Sequence, residues 1–250
     1  MSEKTRETAV AYRISPALEW VEGKEPLPPL ESGDRLTRAE FERRYEAMPN
    51  LKKADLIEGV VYVASPVRIS AHARPHAYIV TIIGTYILAT PGTEMADNGS
   101  VRIDEDDNEP QPDLFLWIDV AGKGQAQVDD EDYLVGAPEL VIEVAASSAS
   151  YDLHDKLEMY RHNGVREYGV WRTYQGEFDW FRLEKDEFQP ITPDEKGVIA
   201  SSAFPGLRLN VVALLAGDLA AVMADLQAGL QSKEHRDFVE WLAADDKPDE

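Results

Sequence analysis

The sequence predicts an α/β protein, and three observations carry that prediction. Two runs, PDLFLWID at 112–119 and ELVIEVAA at 139–146, are apolar on both faces at a period of two, which marks interior strands. Between helix signals, PHAYIVTIIGTYIL at 75–88 is almost wholly apolar behind a proline, which suits a buried helix with that proline in its first turn. A second helical segment, YDLHDKLEMYRHNG at 151–164, follows the second strand directly and ends at Gly164. With 250 residues and 44% hydrophobic content, the chain can bury one substantial core with appendages.

The elements follow in order. Residues 1–36 carry Pro26, Pro28 and Pro29 in a polar setting without periodicity, so they form an extended or partly disordered N-terminal arm. The main domain spans 37–214. It opens with a helix from Thr37 to Ala47, where Thr37 precedes Glu40 by three residues and Leu36, Phe41 and Tyr45 recur at helical spacing. Next, DLIEGVVYVASP at 55–66 is rich in β-branched residues around a glycine and stops at Pro66, so it reads as a strand or a hairpin-linked pair. The buried helix at 75–88 comes after it, then one or two short strands within 93–103. Past the second interior strand and its helix, REYGVWR, EFDWFRL and a run near Phe188 read as successive strands. FPGLRLN at 204–210 closes the domain. A C-terminal extension, 215–250, continues an apolar helical stretch from Val211 to Leu230, adds a short helix near Phe238–Leu242, and ends in an acidic tail.

Composition narrows the chemistry. No run is apolar and long enough to span a bilayer, and MSEKTRETAVAYR lacks the apolar core of a signal peptide, so a soluble, cytoplasmic protein is expected. The absence of cysteine excludes disulfides, thiolate metal sites and a thiol nucleophile, which leaves carboxylates, histidines and hydroxyls. Oxygen-ligated Mg2+ or Mn2+ fits that inventory best. The formal charge of −22 opposes a nucleic-acid partner, because affinity for phosphates comes from Lys and Arg. Much of the acid lies in stretches that read as peripheral: Asp104–Glu109, Asp129–Asp132, Glu184–Glu187 and Ala244–Glu250. Arg68, Arg74, Arg102, Arg161 and Arg166 are candidates for a local basic rim.

Against that background three charged residues stand out. Asp113 opens one interior strand, and its phase puts it on the face of Phe115 and Trp117. Glu143 shares a face with Val141 and Ala145 inside the other. On the following helix Leu153, Leu157 and Tyr160 form the inward stripe, with Lys156 about 60° from Leu153 on its edge. Two acids and an ammonium are costly to bury alone. They can neutralise one another in a structural ion pair, or hold a divalent metal beside a phosphate.

The blocks DLIEGVVYVASP, PDLFLWID, APELVIEVAASSASYDLHDKLEMYRHNGVREYGVW and FPGLRLN resemble the Uma-type restriction endonuclease family of the PD-(D/E)XK nuclease superfamily. The resemblance covers residues 55–210 and includes Asp152, Tyr160, Gly164, Val165, Glu167 and Tyr168 in order. It implies a restriction-endonuclease-like core, a central mixed β-sheet flanked by helices. Asp113, Glu143 and a backbone carbonyl near Val144 would hold Mg2+ or Mn2+. The lysine that usually lies two residues after the second acid is replaced here by Ala145, and Lys156 stands in from the next helix, a relocation that the family shows. Either Asp55 or Glu58 would complete the site, since on one strand they point to opposite faces. His76 matches a histidine at the start of the family's helix, in a role at the phosphate or as a structural cap.

Three function classes follow. The first is a metal-dependent endonuclease acting on DNA. The second is a non-catalytic binding or regulatory protein on the same scaffold, which the acidity favours. The third is a metal-dependent hydrolase of another phosphate substrate. The apolar C-terminal helix and the need to cut two strands make a homodimer an expectation as well.

Overall fold

The computed structural model describes residues 27–65, 67–105 and 107–244. The strand stop at Pro66, most of the expected N-terminal arm and the last six residues of the acidic tail lie outside these. Helix α1, Arg38–Glu46, starts at Thr37 as predicted, but the threonine side chain makes no capping bond. Glu40 does not complete a capping box either. Its carboxylate turns along the helix to Arg43 and Arg44, each at 2.7 Å, a pairing that places opposite charges three and four residues apart.

Strands β1, Ala54–Ile57, and β2, Val60–Val63, form an antiparallel hairpin. Its turn is Glu58–Gly59, with φ of +48° and +71°, the positive pair that a two-residue hairpin demands. Residues 33–36 run beside β2, with Gly33 N–H bonded to Val61 O at 2.8 Å. With α1 they enclose a small cluster of Leu30, Phe41, Ala54, Leu56 and Val61.

A π-helical turn, Ile69–Ala73, leads into α2, Arg74–Leu88, which carries Pro75 in its first turn as expected. Strands β3, Thr93–Ala96, β4, Val101–Arg102, and β5, Leu114–Ile118, come next. Then follow β6, Gln127–Val128, β7, Leu134–Val135, and β8, Leu140–Ala145. Beyond β8 the expected single helix is two pieces, α3, Ala149–Asp152, and α4, Asp155–His162. The break falls at Leu153–His154, where His154 leaves the helical region at φ −125° and ψ −81°. Strands β9, Glu167–Arg172, β10, Glu177–Glu184, and β11, Glu187–Pro190, complete the main sheet. A second hairpin pairs β12, Val198–Ala200, with β13, Arg208–Asn210.

The predicted helix over 211–230 is also two: α5, Val211–Ala216, and α6, Leu219–Leu230. Gly217, at φ +77°, caps the first in a left-handed conformation, and the Asp218 side chain accepts from Ala221 N–H to start the second. Helix α7, Lys233–Ala243, begins five residues before the predicted one because Ser232 caps it.

The main sheet has the order β11-β10-β9-β8-β5-β3. Only the β8–β9 pair in it is parallel, so the sheet is mixed. The alternation read from the sequence holds on both central strands. Leu114, Leu116, Ile118, Leu140 and Ile142 pack on one face against Ile79, Ile82, Ile83 and Tyr86 of α2. Phe115, Trp117, Val141 and Ala145 pack on the other with Met159 and Tyr160 of α4. Val222, Leu226, Phe238 and Leu242 of α6 and α7 join the first cluster, so these helices share the main core.

The stretch Asp129–Asp132 lies at the surface as expected, whereas the stretch Asp104–Glu109 ends in a buried acid. Glu109 pairs by both backbone groups with Leu56 and is buried. Asp129 turns β6 into β7 and, with Glu42 and Glu131, holds Arg102 at 2.7–3.0 Å. Burial first, and then Glu42, push the Glu109 carboxyl up to about 8 from 4.5. Its folded form thus binds a proton more tightly than the unfolded chain, and the stability that it contributes below pH 4.5 is lost as pH rises through about 8. Glu109→Gln is therefore expected to melt with the wild type at pH 5 and above it at pH 8, by at least about 1 kcal/mol or roughly 2–4 °C. Thermal melts across that range check it, and a difference that does not change with pH refutes it.

Candidate active site

Strand β5 begins one residue after Asp113, and its last ladder partner on β8 is the Leu114–Ile142 pair. Past that pair the two acids take over from the backbone ladder. The Asp113 N–H donates to Glu143 Oε2 at 3.2 Å, and the Val144 N–H donates to Asp113 Oδ2 at 2.8 Å. In an extended strand the carbonyl leaves on the same edge as the N–H of its own residue, so Val144 O faces this gap too. Both acids are buried, at 4% and 2% exposure, at the base of an open cleft of about 850 Å3.

Lys156 enters from the first turn of α4. Its Nζ lies 2.8 Å from Glu143 Oε1, 3.1 Å from Asp55 Oδ2 and 4.0 Å from Asp152 Oδ1. The predicted inward stripe of Leu153, Leu157 and Tyr160 is corrected to Lys156, Met159 and Tyr160, with Leu153 and Leu157 half-buried. The buried set Asp152, Lys156, Met159 and Tyr160 itself keeps i, i+4, i+7 and i+8 spacing, so a stripe drawn through the apolar Leu153 and Leu157 is centred on the wrong residues. Lys156 is thereby an interior residue, not an edge one. Tyr160, expected as core, is core and also donates to Glu143 Oε1 at 3.3 Å.

The hairpin resolves the two upstream acids. Asp55 points into the cleft and also accepts from Gln111 N–H at 2.7 Å. Glu58 sits in the turn, exposed, beside His154 and Glu158 on the outer side of α4. The expectation that the two acids share one strand fails because the strand ends at Ile57. His76 donates from Nε2 to the Asp113 backbone carbonyl at 2.8 Å and is not part of the cleft lining. Its neighbour His72 lines the cleft, with Nε2 at 3.0 Å from Asp113 Oδ2. Thr173 at the end of β9 bonds Ala71 O at 2.6 Å and so pins the turn that carries His72.

Lys53 was not anticipated. It precedes β1, and its Nζ lies 2.7 Å from Asp113 Oδ1 and 3.3 Å from Asn98 Oδ1. A polar residue between turn signals carries no local mark of a partner 60 positions away. Asp152, in the single turn of α3, is buried and aimed at Lys156. Of the five arginines considered for a basic rim, only Arg68 lines the cleft. Arg102 and Arg161 are engaged by acids of their own, and Arg166 bonds Gln125.

The electrostatics follow from this crowding. Four buried carboxylates, Asp55, Asp113, Glu143 and Asp152, face two ammoniums. Burial, reinforced by Asp113, pushes Glu143 up to about 7 despite the nearby Lys156. Asp152 is raised as well, chiefly by burial. Burial opposes the charge on Lys156, but Asp55 and then Glu143 hold its pKa well above the usual lysine value. Burial would raise Asp113 too, yet Lys53 and then His72 hold it far below the carboxylate range. Among the described residues, no three Asp, Glu or His side chains converge on one point as a ready metal shell. The donors instead take protein cations, and all of them are oxygens on Asp113, Glu143, Asp55 and Val144.

The main sheet, flanked by helices, thus gathers acids and a lysine where two of its central strands part. The fold matches the crystal structure of "a putative nuclease belonging to DUF820 from Anabaena variabilis ATCC 29413", with a TM-score of 0.51 and 13% identity over 75% of this chain and 97% of that one. Residues 38–212 match the family described as "Uma2: Putative restriction endonuclease", and the chain belongs to that family. No curated protein matches it. Among the described residues, no helix is long and apolar enough to cross a membrane.

Removing the ammonium leaves Asp55 and Glu143 buried without a counter-ion, so Lys156→Met is expected to lower stability by about 3–5 kcal/mol in urea melts near neutral pH. Asp152→Asn, at the longer distance, should cost less than about 1 kcal/mol. Equal effects of the two substitutions would show that Lys156 does not offset the acids.

Proposed function

We propose that the protein is a metal-dependent endonuclease that hydrolyses DNA phosphodiester bonds at this cleft. The observation that carries the reading is the placement of Asp113, Glu143, Asp55 and Lys156 in one cleft where β5 and β8 part. The donor set suits a hard divalent cation, since the carboxylates supply oxygens and the buried acids outnumber the ammoniums by two. Asp113, Glu143 and the Val144 carbonyl would hold Mg2+ or Mn2+. Such an ion supplies a bound water of lowered pKa and polarises a phosphoryl oxygen.

The chain's own residues do the rest. Asp55 fixes the Lys156 ammonium on the side of Glu143, where it orients a water and offsets negative charge that builds on the phosphate oxygens. Val144 N–H and His72 fix the Asp113 carboxylate, and His76 fixes its backbone. Arg68, exposed at the mouth, can meet a flanking phosphate.

Supercoiled plasmid should be nicked in Mg2+ or Mn2+ and not in excess chelator. Asp113→Ala should retain less than about a hundredth of that rate. An RNA substrate run in parallel decides the nucleic acid. Glu143 can act as a ligand only when ionised, so the affinity for Mn2+ should rise with pH up to about 7 and level off above it. A Mn2+ affinity that stays constant from pH 5 to 7 would remove Glu143 from the ligand set. The net charge of −22, with Arg102 and Arg161 already occupied by acids, favours a second reading as a non-catalytic binding protein on the nuclease scaffold. Mn2+ binding in calorimetry without nicking of any nucleic acid would decide for it.

A further inference from the structure

Asp113 has two carboxylate oxygens, and their surroundings differ. Oδ2 accepts from Val144 N–H at 2.8 Å and lies 3.0 Å from His72 Nε2, so both of its lone-pair directions are taken. Oδ1 is the oxygen left for a cation, and Lys53 Nζ sits on it at 2.7 Å. The two lysines of the cleft are held very differently. Lys156 has carboxylates on two sides within 3.1 Å and a side chain 3% exposed. Lys53 has one carboxylate, a single neutral amide oxygen at 3.3 Å, and a side chain 19% exposed near the mouth with Asn98 and Arg68. Lys156 is locked in place, whereas Lys53 can swing.

We propose that Lys53 and a divalent cation are alternative partners of Asp113 Oδ1, and that the cation, on binding, releases the Lys53 ammonium toward a substrate phosphate at the cleft mouth. The inference rests on the metal-dependent reading above. Two positive centres within a few ångströms of one oxygen repel strongly in a site shielded from water, so the weaker-held one leaves. Released, the ammonium keeps three donors and a flexible four-carbon stem, which suits a point contact to phosphate. Lys53 is on this account a positioning residue that couples metal loading to substrate capture.

The test is calorimetric titration of the full-length protein with Mn2+ alone. Lys53→Met should bind Mn2+ about tenfold more tightly than the wild type, because the competing cation is gone. Arg68→Gln removes a charge from the same cleft without touching Asp113, and should change the affinity by less than about threefold. Lys53→Arg, which keeps the charge and offers Asp113 a two-pronged contact, should bind no more tightly than the wild type. Equal gains in Lys53→Met and Arg68→Gln would reduce the effect to through-space charge and overturn direct competition. If no protein binds Mn2+, the metal-dependent reading itself falls, and this inference with it. If the Met variant fails a circular dichroism check of folding, Lys53→Gln serves as the neutral variant under the same criteria.

The release is tested separately by fluorescence anisotropy on a short DNA duplex with and without Ca2+, which fills the site without supporting rapid cleavage. Ca2+ should tighten binding to the wild type by about tenfold and to Lys53→Met by less than about threefold. An equal gain in both would show that Lys53 does not move to the phosphate.

Discussion

The Lys156 ammonium, held between Asp55 and Glu143, is the interaction on which the arrangement of this molecule depends. It ties three elements from distant parts of the chain: the β1–β2 hairpin, the central strand β8 and helix α4. None of the three charges is tolerable without the others, because each is nearly sequestered from water and an unmatched buried ion costs several kcal/mol. The hairpin must therefore dock at one register, and α4 must present its first turn inward. A break falls at Leu153–His154, just before that turn. Asp152, Lys156, Met159 and Tyr160 nonetheless keep i, i+4, i+7 and i+8 spacing across it, so the acid and the ammonium lie on one side.

The same charges explain why the cleft stays chemically poised. Packing two acids against the end of a β ladder lets them replace backbone bonds, so Asp113 and Glu143 extend the ladder while lining the cleft. An excess of buried acid over buried base is a debt that a further cation can settle, and Glu143 near neutrality is its sign. The acidic surface elsewhere has other work: Asp129, Glu131 and Glu42 anchor Arg102 and join the small sheet to α1.

Much of the fold was legible because strand phase is a local property. The two faces of PDLFLWID and ELVIEVAA sort residue by residue into the two clusters that the structure shows. Asp113, Glu143 and Lys156 were found from that phase and from the family blocks. Helix continuity was less legible. A stretch such as 151–164 satisfies helical spacing throughout, and the turn at Leu153–His154 has no proline or glycine to betray it. Lys53 was invisible for another reason, since its meaning lies in a contact with Asp113 formed only when the hairpin docks. Glu109 was misjudged because charge density in a stretch says nothing about one side chain that turns inward.

The small cluster of Leu30, Phe41, Ala54, Leu56 and Val61 lies under the hairpin, apart from the two clusters that sandwich the main sheet. That hairpin and the residue before it supply Asp55 and Lys53, while the sheet and α4 supply the other charges. The site is thus a seam between the main sheet and a hairpin that reaches it through Ile57 and Tyr62. Any event that loosens the hairpin, whether a cavity at Phe41 or a pull on the segment before Leu30, unmakes the constellation while the main sheet stays folded. In such a molecule the spacing of the charges reports on the docking of the hairpin before overall unfolding does.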